Sequence, residues 1–564
     1  MICPSLLGQG FGNTKPVRLF PSDDDLQKLR RNEVRVTNTE FTETDPFFIT
    51  DPENPNRVFL TTVQHKFNNL KENIICPVYY SNDGGFSWLR SNEILLPFHE
   101  YDYFLESSFP KLELLNDTLF HAWINTSYKR NYPNSSDSAT RQLSIAYSTN
   151  SGRNWFYDQS SIIHTESARV SGENRLNLRY ELADLHLKII DNELYLFHSE
   201  KDYFINTASR LKVYKWTENR MIQLTDYLFD DLNYAGNFDL KVLDNSNVAI
   251  VYTAFDTLTS INYLELDLQN SNVVSDSRIS QFWFKGGSNI PLSIIDDIKG
   301  LNPTTFNPTP KIANCGDNIY CTWSATGTSE PDFDLDIYFS KSTDKGISWS
   351  IPIILNSVDE GEQFHPSISC KNQDSIVVTW FDNWFSPLEP LASYVSVFSF
   401  DSGINFTDEI PLNSIAIDLN LTGLRNNDYR LGRYNNSGLI NGKMIGFWPD
   451  TRNSDGNVEL YSVQYPIIEL LEDFIYNDTF KVNPPYPNPC SSSFALSIEL
   501  SRKEFLVIEI YDLLGNRLSE LHHGFLFPGY YNFESDIKEY EEGHYFIKIR
   551  SRNKSIVKKI ILLK

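Results

Sequence analysis

The chain has 564 residues, too many for one ordinary hydrophobic core, so several domains or one large closed architecture are expected. Its 49 Lys and Arg face 73 Asp and Glu, a net charge of −24, which argues against nucleic acid or an anionic membrane as partner, since phosphate binding needs clustered cations. No run approaches the roughly 18 apolar residues that span a bilayer, and six scattered cysteines cannot staple a chain this long.

The first residues, MICPSLLGQGFG, are too short and lack the basic start of a full signal peptide, but they resemble the tail of one; segment 1–32 is read as its remnant. From residue 33 to 466 the sequence is rich in aromatic residues, Asn, Asp, Gly and Pro, the composition of short β-strands broken by turns. One octet recurs: SNDGGFSW at 81–88, STNSGRNW at 148–155, STDKGISW at 342–349 and SFDSGINF at 399–406. The copies begin 67, 194 and 57 residues apart, and 194 is close to three periods of about 65. Two copies without the octet are therefore expected between them, and RLKVYKWTENRMIQL (210–224) and INYLELDLQNSNVV (261–274) fit; NVELYSVQY (457–465) supplies one more period.

Each period opens with a strand, a turn, and a strand ending in an aromatic residue. In chain order these are DPFFITDPENPNRVFLTT (45–62), FPKLELLNDTLFHAW (109–123), LHLKIIDNELYLFH (185–198), FDLKVLDNSNVAIVY (238–252), TPKIANCGDNIYCTW (309–323), HPSISCKNQDSIVVTW (365–380) and YRLGRYNNSGLINGKMIGFW (429–448). Apolar residues alternate within them and Asn, Asp or Gly mark each turn. Seven four-stranded units that cannot bury both faces alone point to an all-β ring, a seven-bladed β-propeller with six blades as the alternative. NEVRVTNTEF (32–41) is placed to complete the last blade.

The octet resembles the Asp-box, or bacterial neuraminidase repeat, of sialidases and their non-enzymatic relatives; DPENPN (51–56) and WPDTRNSDGNVELY (448–461) resemble further parts of that family. The box residues are Ser81, Asp83, Gly85 and Trp88; Ser148, Asn150, Gly152 and Trp155; Ser342, Asp344, Gly346 and Trp349; and Ser399, Asp401, Gly403 and Phe406. Physically the glycines allow positive φ, the carboxylate or amide braces turn amides, and the aromatic packs beneath. The resemblance implies a peripheral scaffold role for them.

The same resemblance implies, for an enzyme, three arginines on a substrate carboxylate, an Asp acid/base and a Tyr–Glu nucleophile. The Arg-Ile-Pro triplet that carries the first arginine is absent: the region reads TETDPFFITDP. Arg430 and Arg433 in YRLGRY lie at a late blade entrance, where the resemblance implies a family arginine, whereas Arg452 beside Asp450 reads as an ordinary ion pair. A non-catalytic glycan- or protein-binding module is therefore preferred, with an exo-sialidase or related glycoside hydrolase and a structural or adhesive surface protein as alternatives. A ligand is expected where the innermost strands begin, at Asp45, Asp184, His186, Asp239, Lys311, His365, Arg430 and Arg433. No cofactor is expected; Asp332, Asp334 and Asp336 alternate as calcium ligands do, but lack the Gly and Glu of an EF-hand loop. Of Cys3, Cys76, Cys315, Cys321, Cys370 and Cys490, the pair Cys315 and Cys321 shares the hairpin CGDNIYC, and a disulfide there depends on whether its register puts both on one face.

Residues 467–485, ending in a Pro-rich run, read as a stiff linker. Residues 486–564 alternate as short strands with Gly or Asn turns, a small β-sandwich. YPNP (486–489), IYDLLGNRL (510–518), Gly529, Gly543, Tyr545, Phe546 and the Lys558–Lys559 end resemble the type A C-terminal sorting domain of the type IX secretion system. That resemblance implies the type IX machinery as partner and a secreted or outer-membrane-anchored protein of a Gram-negative bacterium; a monomer is expected.

Overall fold

The structure, a computed structural model, describes residues 32–68, 71–94, 104–129, 137–171, 175–176, 180–202, 209–229, 234–244, 246–255, 259–282, 309–325, 335–356, 362–371, 374–383, 391–407, 409–422, 431–432, 435–453, 457–467, 480–500, 504–513, 515–527, 529–551 and 555–564. Segment 1–31, Asp332, Asp334, Arg430, Arg433 and most of the expected linker thus lie outside the described residues. The fold is all-β, and its contacts divide into two bodies, one within Gln27–Ile467 and one containing Ile468–Lys564. Among the described residues no helix is long and apolar enough to cross a membrane.

In the first body, antiparallel strands follow one another in units, each beginning with an entry strand: Thr42–Thr50 (unit 1), Phe104–Leu115 (unit 2), Tyr180–Ile190 (unit 3), Tyr234–Val242 (unit 4), Lys311–Cys315 (unit 5), Gln363–Lys371 (unit 6) and Asn436–Ile440 (unit 7). The strands after each entry strand pair outward in sequence order. Units 1 and 2 are further joined by Lys71–Ile75, which pairs with Val58–Asn68 and bridges in parallel from Asn73 to Leu105. Successive entry strands lie side by side, and that of unit 7 lies beside that of unit 1.

Burial falls from the inside outward. The second strands Asn318–Ala325, Ser375–Asp382 and Lys443–Asp450 are buried along almost their whole length and carry the fully buried Trp323, Trp380 and Trp448. The outer Asn272–Phe282 is largely exposed. The inner strands are buried on both faces because the cores lie between units. Leu211 and Val213 of unit 3 pack with Leu240 and Ile250 of unit 4, Tyr320 and Phe339 of unit 5 with Val378 and Trp380 of unit 6, and Leu60 and Tyr79 of unit 1 with Ile445 and Phe447 of unit 7. Each such side chain contributes about 1.5–3 kcal/mol by leaving water, so a unit is stable only between neighbours.

Glu33–Arg35 completes the sheet of unit 7, Glu33 opposite Val463 and Arg35 opposite Tyr461. The disulfide expected as one option between Cys315 and Cys321 is not the one formed: Cys315 bonds Cys370, joining the entry strands of units 5 and 6. Register explains the difference. Ile312 stands opposite Cys321, so Cys315, an odd number of residues further on, faces the other side of the sheet; Cys321 stays a buried thiol. Closing a loop of 55 residues, the bond is expected to contribute about 2–4 kcal/mol. Non-reducing peptide mapping should recover the 315–370 cross-link, and Cys370→Ser should lower the denaturation midpoint accordingly.

The second body has two antiparallel sheets. One contains Phe480–Val482, Ser493–Leu500 and Gly529–Asp536; the other contains Arg517–Leu526, Glu504–Tyr511, Gly543–Arg550 and Ser555–Leu562. Strict alternation in Ser493–Leu500 turns Phe494, Leu496, Ile498 and Leu500 into a core shared with Leu506, Ile508, Ile547 and Ile549. Phe480–Val482, within the stretch read as linker, is part of this sheet.

Candidate functional site

The octets are turns between the third and fourth strands of their units, remote in each sheet from the entry strand. In the first, Ser81 Oγ donates to Asp83 Oδ1 (2.7 Å) and accepts from Gly85 N (2.8 Å), while Asp83 Oδ1 accepts from Phe86 N and Ser87 N (both 2.9 Å). Slight burial would raise the Asp83 pKa, but the bonds from Ser87 and Ser81 outweigh it and hold the carboxylate at about 2. Ser342–Asp344 and Ser399–Asp401 repeat the pattern, and Asn150 serves where the carboxylate is missing. A carboxylate so saturated with donors is a brace and a poor general acid.

Each turn also grips the preceding unit. Trp155 Nε1 donates to Ser91 Oγ (2.7 Å), Trp349 Nε1 to Ser277 Oγ (3.1 Å), and Lys341 Nζ of unit 5 to the Ser402 carbonyl of unit 6 (2.9 Å). The first turn reaches unit 7, where Gln464 Nε2 donates to the Gly84 carbonyl (2.6 Å).

The entry strands differ from regular strands in one repeated way. Their register breaks between Thr44 and Phe47, Ser108 and Lys111, Ala183 and His186, Gly236 and Asp239, and Phe364 and Ser367. At each break a non-glycine residue takes positive φ: Asp45 (52°), Phe109 (55°), Asp184 (49°), Asn237 (55°) and His365 (53°). These are β-bulges at equivalent places in units 1, 2, 3, 4 and 6. Proline follows three of them (Pro46, Pro110, Pro366), a residue with no N–H to lose from the ladder. Asp and Asn accept the left-handed region readily, whereas Phe109 and His365 are held there against preference. Gly432 (φ 83°) has no room for a Cβ, which would lie 2.9 Å from Asp45 N.

The bulges set the expected site residues in two tiers. Asp45, Asp184 and His365 occupy the bulges themselves; His186, Asp239 and Lys311 come two residues later, or at the equivalent register in unit 5. Contacts run from unit to unit. His186 Nε2 bonds the Phe238 carbonyl (3.0 Å), and its Nδ1 lies 3.9 Å from Asp239 Oδ1. Asp239 Oδ2 accepts from Ile312 N of unit 5 (2.9 Å), whereas Asp184 Oδ2 accepts from Ser199 Oγ within unit 3 (2.8 Å). Asp336, which alone of the three expected calcium ligands is described, accepts from Asn356 Nδ2 (2.7 Å).

Aligning the bulges brings in residues not singled out from the sequence. Lys111 shares the tier of His186, Asp239 and Lys311, and its ammonium lies 4.4 Å from the centre of the Phe47 ring. Two residues further along are Glu113, Lys188 and Lys241. The hairpins as written in sequence already stack these columns, but each lysine alone reads as a solvated strand residue. Together they form one electrostatic cluster. Burial and the charge of Lys311 press the Lys111 pKa down to about 7, and burial and Lys188 press Lys241 down to about 8. Burial would raise the Asp239 pKa, but Lys311, His186 and Lys241 outweigh it and lower it. Burial keeps His186 and His365 neutral, each near 3, and raises Asp184 and Glu113. Lys188, Lys241, Lys311 and Asp239 nevertheless keep partial solvent contact. The cluster is deep but wetted.

Comparison with known proteins assigns the tail. Residues 485–563 match the family model of the secretion system C-terminal sorting domain. The tail is therefore a secretion-system sorting domain, which implies a secreted protein. No curated protein matches the chain. Among solved structures, an α-L-arabinanase of Penicillium chrysogenum complexed with arabinobiose is 12% identical over 78% of this chain and 98% of that one, with a TM-score of 0.38. A protein of unknown function from Dyadobacter fermentans is 10% identical over 66% and 98% (TM-score 0.38), and the NanB sialidase of Streptococcus pneumoniae is 10% identical over 81% and 71% (TM-score 0.36). Likenesses this faint decide neither fold nor activity.

Proposed function

We propose that this protein is exported by a type IX secretion system, through its C-terminal β-sandwich, and displays a seven-bladed Asp-box propeller whose bulged axis binds a glycan without cleaving it. The ring is supported by the unbroken succession of entry strands from unit 1 to unit 7 and back, and by Glu33–Arg35 in the last sheet. The observation that carries the binding reading is the set of matching bulges, because a left-handed residue recurs at one end of five entry strands, at Asp45, Phe109, Asp184, Asn237 and His365, and Phe109 and His365 are held there against preference. The cations of this cluster among the described residues are lysines, point charges without the planar fork by which arginines clamp a carboxylate in a sialidase.

Two measurements on the full chain test this. A glycan array should give specific binding, and a fluorogenic sialoside should give no turnover above blank. Turnover abolished by Arg433→Ala would overturn the non-catalytic reading in favour of an exo-sialidase. A blank array would overturn the glycan reading and favour a structural or adhesive protein.

A further inference from the structure

We infer that a cavity between units 1 and 2 receives a small neutral aromatic molecule, a single ring bearing a hydroxyl group. The inference is independent of the glycan reading, because the cavity shares no lining residue with the axial cluster. Its free space is about 70 Å³, room for roughly five to seven waters at about 10–15 Å³ each, or for one six-membered ring. Ile75, Pro77 and Val78 of unit 1 and the rings of Trp123 and Trp155 of unit 2 wall it, with Arg90, Asn92 and Glu93 on its more exposed side. Such a mainly apolar hollow with a few polar groups at one side is the usual form of a small-molecule site.

The polar groups narrow the ligand class. Both indole N–H groups are spent within the protein, Trp123 Nε1 on Asn125 Oδ1 (2.6 Å) and Trp155 Nε1 on Ser91 Oγ (2.7 Å), so the tryptophans offer ring surface, which another aromatic ring fills best. Ser91 donates to the Gly152 carbonyl, Ser107 to Asn125 Oδ1 (2.7 Å) and Asn92 to Asn154 Oδ1 (2.8 Å). A saccharide would give up water at several hydroxyls and find few donors to replace it. Charge is no better welcomed. Glu93 is shared by Arg90 (3.0 Å) and Lys66, cations that oppose a cationic ligand. Asp45 and Glu43 lie behind Cys76, another lining residue, where they join burial in raising the thiol pKa, and they oppose an anionic one. One polar feature is left over. Arg90 donates through Nη2 alone, to Gln64 Oε1 (3.2 Å) and Glu93 Oε1, so among the described residues its Nε and Nη1 have no partner. They can donate to a ring hydroxyl.

The test is calorimetric titration of the full chain at pH 7 with phenol, benzoate, benzylammonium and methyl glucoside. Phenol should bind at least about tenfold tighter than each of the others. Cys76→Leu and Ile94→Phe, which fill the space at two lining positions, should each weaken phenol about tenfold or more, whereas Cys76→Ala, which enlarges it, should retain binding. Two filling replacements guard against a folding defect in either. No binding of phenol, equal binding of benzoate, benzylammonium or the glucoside, or undiminished phenol affinity in both filled variants would overturn the inference.

Discussion

Replacing Gly346 with alanine is expected to destabilise the first body by about 2–5 kcal/mol, while the same change at Gly442 costs about 1–2 kcal/mol. Both glycines have left-handed backbone, φ 86° and 75°, so both variants carry the strain of an L-residue there, of order 1–2 kcal/mol. They differ in surroundings. A Cβ on Gly346 would lie 2.8 Å from Tyr263 Cδ1 and nearer still to Cε1 and Cζ, whereas nothing approaches within 4 Å of one on Gly442. Tyr263 is itself buried, packed with Trp349 at a ring separation of 5.6 Å, so it has no free direction in which to yield, and overpacking adds a further 1–3 kcal/mol or so. Chemical denaturation of the two variants separates backbone strain from contact between units 4 and 5. Equal losses would show that the turn does not press on its neighbour.

Arg452→Ala should be comparably damaging, by about 3–5 kcal/mol, and its damage should be localised. The guanidinium donates to Glu33 Oε2 (2.6 Å) and Asp450 Oδ2 (2.7 Å) and lies 4.2 Å above the Tyr461 ring. Asp450 is fully buried, Glu33 nearly so, and Ser414 also donates to Glu33. Removing the cation leaves two carboxylates in a site too dry to hold them charged. Glu33 heads the short strand that completes unit 7, so hydrogen exchange should accelerate first at Val36, whose amide donates to the Leu460 carbonyl (2.8 Å). Arg452→Lys should recover only part of the loss, since one ammonium cannot serve both carboxylates in the same geometry. Unchanged protection at Val36 would refute this account of the closure.

Much of the scaffold was legible because its chemistry constrains residue type. A turn braced by Ser and Asp side chains with a left-handed glycine leaves a fixed octet, and hairpins buried on alternate positions leave a period of two. The spacing of the octets then exposed the units that lack them. The site was half legible. Asp45, Asp184, His186, Asp239, Lys311 and His365 were placed by their position at the start of inner strands, but what unites them was hidden. A bulge is a property of backbone register, and Asp45, Phe109, Asp184, Asn237 and His365 share no side-chain chemistry that could announce it. The lysine cluster was hidden by distance, its members running from Lys111 to Lys311. The disulfide was missed as a pairing because Cys370 lies in the next unit, and only register showed that Cys321 faces away from Cys315.

The backward grip of the octet turns gives assembly a direction. The turn of unit 2 closes on unit 1, that of unit 5 on unit 4 and that of unit 6 on unit 5, so each finds its partner already synthesised. The turn of unit 1 is the exception. Its partners, Gln464 and Phe447, and the strand that Glu33–Arg35 joins, come more than 300 residues later. A growing chain can therefore fasten joint after joint while one clasp stays open, leaving an unpaired sheet edge exposed until the last unit arrives. The slowest step of folding should be that clasp, a contact set by the whole length of the first body, whatever the speed of its parts.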